Sequence, residues 1–197
     1  ARQEREQLSG LCDRHHLSLI VDEVFLDYPL RPSDDAVSFA AETATVPTFV
    51  LSGMSKIAGL PQMKAAWVLT LGPERLRREA LSRLEVIADT FLSMNAPVQL
   101  ALPAWLAGRR HLQEQILMRT RANLSTALAS GVQVLETQAG WNVVLRSAIA
   151  AEELVAERGV IAHPGSFYGM TEGNRLVVSL LTQENDFALG MVHMASA

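Results

Sequence analysis

Two primary amines stand close together in this chain, Lys56 and Lys64, and its 197 residues contain no other lysine. Fifteen arginines carry the rest of the positive charge, so the lysines form a local feature in the stretch Leu51–Leu69, "LSGMSKIAGLPQMKAAWVL". An amine shielded from water has its charged form disfavoured and becomes a nucleophile that can form a Schiff base with an aldehyde. A carboxylate suited to such chemistry is Asp22, directly after the apolar run "LSLIV", while Lys56 follows shortly after a second run, "TFVLS". Ligands of open parallel sheets gather outside the carboxyl ends of the strands, so both groups would stand on one rim if the two runs share a sheet. Glu23 is not a second acid of the same kind, because neighbours on a strand point to opposite faces. Each residue alone has an ordinary explanation: Asp22 as a turn or cap, Lys56 as a solvated loop side chain, His163 as a satisfied loop histidine, Arg175 as a strand-edge arginine.

The elements that must position these groups are readable from periodicity. Arg2 to His15 has helical spacing, with Leu8, Leu11 and Cys12 on one face. "LSLIV" (residues 17–21) predicts a buried strand of the parallel type, followed by a loop, "DEVFLDYPLRPSDD". Strands are predicted at Thr48–Ser52 and Ala65–Leu71. Gly72 and Pro73 then open a helix striped by Leu76, Ala80, Leu84, Ile87 and Phe91. Asn95 can cap the next helix, with Pro97 in its first turn, and a long helix is predicted from His111 to Ala129, stopped by Gly131. Beyond it, "VQVLE", "WNVVLR", "VIAHPG" and "RLVVSLL" read as strands and "AAEELVAERG" as a helix. The pattern predicts α/β structure first and a small α+β lobe after it, with a boundary near Gly108. Trp67, Trp105 and Trp141 read as core, and Met54 and Met63 as gap-fillers.

Composition narrows the function classes. Apolar residues make up 49% of the chain, charged residues 19%, and the net charge is −4. That is a globular composition with no basic face for nucleic acid. Cys12 is the sole cysteine, so no internal disulfide can form, and a reducing cytoplasmic home fits. No apolar run is long enough to span a membrane, and the opening "ARQEREQLSG" is not a signal peptide. The chain opens inside an element without a methionine and reads as a piece of a longer protein.

"LIVDEVFLDY", "SGMSKIAGLPQMKAAWV" and "HPGSFYGMTEGNRLVVSLL", in this order, resemble the class I/II aminotransferases, which are fold-type I pyridoxal-phosphate enzymes. The resemblance covers essentially the whole chain. It implies the C-terminal part of that fold: residues 1–108 as the end of the cofactor-binding large domain, with a mixed, mostly parallel sheet, and residues 109–197 as the small α+β domain. It implies pyridoxal 5'-phosphate as cofactor, an amino acid and a 2-oxo acid as substrates, no metal, and a homodimer. Lys56 resembles the lysine that bonds the cofactor aldehyde and then moves protons, and Asp22 the acid that keeps the pyridine nitrogen protonated. Arg175 resembles the arginine that grips the substrate α-carboxylate through its planar fork. His163–Gly169 resembles the turn leading into that strand.

Three positions depart from the family pattern. Phe25 stands where a tyrosine usually bonds the cofactor's ring oxygen. Gly53 stands where serine or threonine often faces the phosphate, flanked here by Ser52 and Ser55. Lys64 stands where arginine usually grips the phosphate, and offers a point charge without the fork. Family members carry a further N-terminal segment of comparable length, so this chain by itself is expected to be inactive. Two other readings of the intact protein are a C–S β-lyase of the same fold and a non-catalytic dimerisation or binding module.

Overall fold

The computed structural model describes residues 2–31, 36–92 and 94–196. The end of the predicted loop Asp22–Asp35, from Pro32 on, lies outside the described residues. The chain divides into two compact units, one taking in the residues before Tyr28 and those from Pro32 to Gln113, the other Tyr28–Arg31 and the residues from Glu114 on.

The first unit opens with helix α1 (Arg2–Arg14) and strand β1 (Leu19–Asp22). Strand β2 (Thr48–Gly53) runs parallel to β1, with Leu19 opposite Thr48 and Asp22 opposite Leu51. A one-turn helix α2 (Met54–Ile57) leads through a 3-10 turn at Pro61–Met63 to β3 (Ala66–Leu71), which returns antiparallel to β2. Among the described residues the sheet order is β1-β2-β3. Successive side chains of β1 point to opposite faces: Leu19 is packed with Cys12 of α1 and with Val46, whereas Ile20 is 72% exposed. The continuous apolar run is thus a strand covered on one face, not the doubly buried strand its composition predicts.

Helix α3 (Glu74–Phe91) carries the predicted stripe, but no residue of it is buried. Helix α4 runs unbroken from Ala96 to Ala129, joining the helix predicted after Asn95 to the one predicted from His111 and passing through both Pro103 and Gly108. Asn95 caps it, its side-chain oxygen accepting from the Val98 N–H at 3.1 Å. Met54, Ala58 and Ala65 are buried against Val98, with Trp67 and Trp105 packed around them.

In the second unit the strands β4 (Gln133–Val134), β5 (Asn142–Arg146), β6 (His163–Pro164) and β7 (Arg175–Ser179) form an antiparallel sheet of order β4-β5-β7-β6. β4 and β6 are two-residue ladders, shorter than "VQVLE" and "VIAHPG" predict. Val143 and Leu145 of β5 and Leu176 and Val178 of β7 alternate inward. They share a core with Leu124 and Ala127 of α4, Leu154 of α5 (Ala151–Arg158), and Phe187 and Met191 of α6 (Glu184–Ala195). Each fully buried leucine here contributes about 1.5–3 kcal/mol. Tyr28–Arg31 join this unit through two backbone bonds, Leu30 N–H to Gln138 and Gly140 N–H to Tyr28, and through the edge-on contact of Tyr28 with Trp141 at 5.1 Å. No helix among the described residues is long and apolar enough to cross a membrane.

Candidate active site

The parallel pairing of β1 and β2 puts their carboxyl ends on the same rim of the first unit's sheet. Asp22 is the last residue of β1 and is exposed, its Oδ1 accepting the Val24 N–H at 3.1 Å. That bond fixes the chain direction at the strand's end in the manner of an Asx turn. Glu23, the next acid, is engaged elsewhere: its two carboxylate oxygens accept from Ser38 Oγ and the Phe39 N–H, each at 2.7 Å. The two neighbouring carboxylates therefore have separate partners.

The turn Val24–Asp27 is closed by the Leu26 N–H donating to Glu23 O at 3.0 Å. It presents Phe25, and the Lys56 Nζ lies 5.4 Å from the centroid of that ring. Lys56 sits in α2, the turn that follows the end of β2, so the contact joins the two strand-end loops. α2 is held from below by fully buried Met54, whose N–H donates to Ala65 O at 2.9 Å, and from the side by Gln113, whose Nε2 donates to Ile57 O at 3.0 Å. Ser55 and Lys56 are left half-buried beside this anchor.

Gly53 ends β2 with φ 176°, an extended conformation open to any residue, so its reason is space. A Cβ there would meet Ala65 O at 2.8 Å and Ala66 Cα at 3.0 Å. A serine or threonine in this position would have to push β3 away from β2, which explains the absence of a hydroxyl. Lys64 has a left-handed backbone, φ 52° and ψ 39°, where it caps the 3-10 turn of Pro61–Met63, and its side chain is exposed. That conformation costs a residue with a Cβ about 1–2 kcal/mol.

Arg175 opens β7 in the second unit. Its Nε donates to Glu172 O at 3.0 Å, its guanidinium lies 3.5 Å from the Glu172 carboxylate, and its side chain is 22% exposed. Gly165 makes room for it, since a Cβ on that glycine would come within 2.8 Å of Arg175 Cβ. His163 Nδ1 is 2.7 Å from the Tyr168 hydroxyl, the partner expected of a satisfied loop histidine.

Sequence reasoning missed the supports: Glu23 as a clamp on Ser38 and Phe39, Gln113 on α2, and the ring-to-amine contact of Phe25. The acid-acid pair "DE" was a visible signal for the first. Nothing in the spacing of Gln113 from Ile57 marked the second.

The family model for aminotransferases of class I and II matches residues 1–189. The alanine aminotransferase of Mycobacterium tuberculosis is 24% identical over 111 residues, 56% of this chain and 26% of that protein. The glutamate-pyruvate aminotransferase of Escherichia coli is 26% identical over 110 residues, 56% of this chain and 27% of that protein. Among solved structures, a tyrosine aminotransferase from Leishmania infantum superposes with a TM-score of 0.87 at 19% identity, covering 100% of this chain and 52% of that one. An alanine aminotransferase from Pyrococcus furiosus gives 0.84 at 17% identity, covering 100% and 53%. These structures show the α/β fold with its mixed sheet, and this chain spans about half their length. With the family model matched along nearly all of its residues, the chain belongs to the class I and II aminotransferases.

Proposed function

We propose that this chain carries the lysine-bearing half of an aminotransferase that moves an amino group between an amino acid and a 2-oxo acid with pyridoxal 5'-phosphate. The family generally depends on that cofactor. The donor set of the first unit fits it: an amine and a carboxylate on one rim, a second amine at Lys64, and the Ser55 hydroxyl. Gly53 adds no donor, for the steric reason above. Bound at the rim, the cofactor supplies an aldehyde for covalent attachment and a ring that accepts electrons from the substrate's α-carbon.

Lys56 would be the residue that holds the cofactor through its aldehyde, and its Nζ, when not so bonded, would serve as the base and acid that moves the substrate's α-proton. Asp22 holds a proton on the ring nitrogen. Lys64 and Ser55 would hold the phosphate, Lys64 as a point charge. Phe25 contributes a ring face without a hydroxyl. Arg175 offers its fork to the α-carboxylate and so orients the bond to be broken, with Glu172 as the carboxylate it releases. Residues 1–108 are read as part of the cofactor-binding domain and 109–197 as the small domain. The supporting division lies at Gln113/Glu114, within α4.

The observation that carries this reading is the Lys56 head against Phe25, which ties the loop after Asp22 to the loop after β2. Replacing Lys56 with alanine in the full-length protein is expected to abolish transamination, measured with a panel that includes alanine, glutamate and tyrosine, the amino acids that the relatives' names point to. Turnover equal to that of the parent would reject the assignment. A homodimer is also proposed, supported by the exposed apolar residues Phe91 (78%), Leu92 (84%) and Leu100 (83%). A cytoplasmic location is supported by the single cysteine.

A further inference from the structure

The geometry points to Phe25 as a positioning residue: its ring face is a platform that holds the Lys56 ammonium head whenever that amine is not covalently engaged. The inference rests on the reading of Lys56 as the attachment lysine, but its test does not.

Three observations carry it. The Lys56 Nζ lies 5.4 Å from the ring centroid, inside the roughly 6 Å range in which a cation is attracted to the negative face of an aromatic ring. Both side chains are half-buried, where that attraction is stronger than at an open surface. The platform is also rigid. The turn that carries Phe25 is pinned by Asp22 Oδ1 on the Val24 N–H and by Leu26 N–H on Glu23 O, while the Glu23 carboxylate is clamped by Ser38 and Phe39. A fixed ring face favours the Lys56 rotamers that keep the amine beside the end of β1.

Phenylalanine can do this without the hydroxyl of a tyrosine. Its consequence is a brake as well as a guide. Before Nζ can bond to any electrophile it must leave the ring and shed its proton, so the platform lowers the reactivity of Lys56. The expected size is about 2-fold to 30-fold, the range of such attractions expressed as a rate.

The measurement carries its own control, because Lys64 is the one other lysine of this chain and its peptide can be read beside that of Lys56. Full-length protein freed of cofactor is treated with trinitrobenzenesulfonate, and the labelling rate at each lysine is read by peptide mass spectrometry. Phe25→Leu is expected to speed Lys56 by about 2-fold to 30-fold and to leave Lys64 unchanged. Phe25→Tyr and Phe25→Trp keep a π face and should keep Lys56 slow. Mono-, di- and trifluorophenylalanine at position 25 keep the shape while draining the ring's negative face, and should speed Lys56 stepwise. A flat fluorination series overturns the platform, as does an unchanged Lys56-to-Lys64 ratio in the leucine variant. Should the leucine variant unfold, both lysines will speed together, and the fluorinated series decides. If the full-length protein takes up no pyridoxal phosphate while the fluorination trend holds, the functional reading fails and the platform stands. Uptake with a flat series overturns the platform and leaves the functional reading standing.

Discussion

Substituting Gly53 by serine restores the residue type that the family often has there, and it should damage the protein. The added Cβ would lie 2.8 Å from Ala65 O and 3.0 Å from Ala66 Cα. Neither atom can yield freely, because Ala65 O already accepts the Met54 N–H at 2.9 Å and Ala66 is the register partner of Gly53. Overpacking of this kind costs about 1–3 kcal/mol, and the entropy gained by removing a glycine from the unfolded chain offsets about 0.4–1 kcal/mol of it. A net loss of about 1–2 kcal/mol remains, equivalent to a Tm drop of roughly 2–8 °C for a protein of this size. Thermal and urea unfolding of Gly53→Ala and Gly53→Ser measure it. The two variants should lose the same amount, since the Cβ is common to both, and neither should tighten cofactor binding. Because φ at Gly53 is 176°, the strand conformation itself suits alanine. An alanine variant as stable as the parent, or more stable, would refute the steric argument.

Three more outcomes are expected. Lys64→Asn should raise stability by about 0.5–1 kcal/mol by relieving the left-handed backbone, whereas Lys64→Gln should not, and both should weaken cofactor affinity about tenfold or more in a fluorescence titration. Glu74 has its carboxyl held below the ordinary 4.5 by Arg77 first and then Arg78, although it is fully exposed. A lowered folded-state pKa means that its contribution is present above 4.5 and is lost as pH falls through the lowered value. Glu74→Gln should therefore flatten the acid limb of the stability profile, slightly and less in high salt. Phe91→Glu with Leu100→Glu should convert the proposed dimer to monomer in sedimentation velocity, and an unchanged sedimentation coefficient would remove that surface from the interface.

What could be read in the sequence was decided by local chemistry. Asp22 and Lys56 were singled out because each follows an apolar run, and the structure does end β1 at Asp22 and β2 just before α2. The cap at Asn95 and the stop near Gly131 were legible because capping depends on one or two residues. The hidden features depend on contacts between distant segments. Ile20 stands exposed on the face of β1 opposite Leu19, and a run of apolar residues does not state which faces will be covered. The helix capped by Asn95 and the one predicted from His111 proved to be a single element, and packing of Val98 and Trp105 with Met54 and Ala65 supports α4 along its first turns. The steric reason for glycine at 53 became visible only with Ala65 and Ala66 placed beside it. Arg175, by contrast, was singled out through family resemblance, since its own neighbours show only a pairing with Glu172.

The central claim is that one particular amine is the site of covalent attachment. Full-length protein mixed with pyridoxal 5'-phosphate and reduced with borohydride fixes that bond irreversibly, and digestion then reports where it formed. The account predicts the added mass on the peptide bearing Lys56 and none on that bearing Lys64. Label on Lys64, or spread evenly over both, would contradict it.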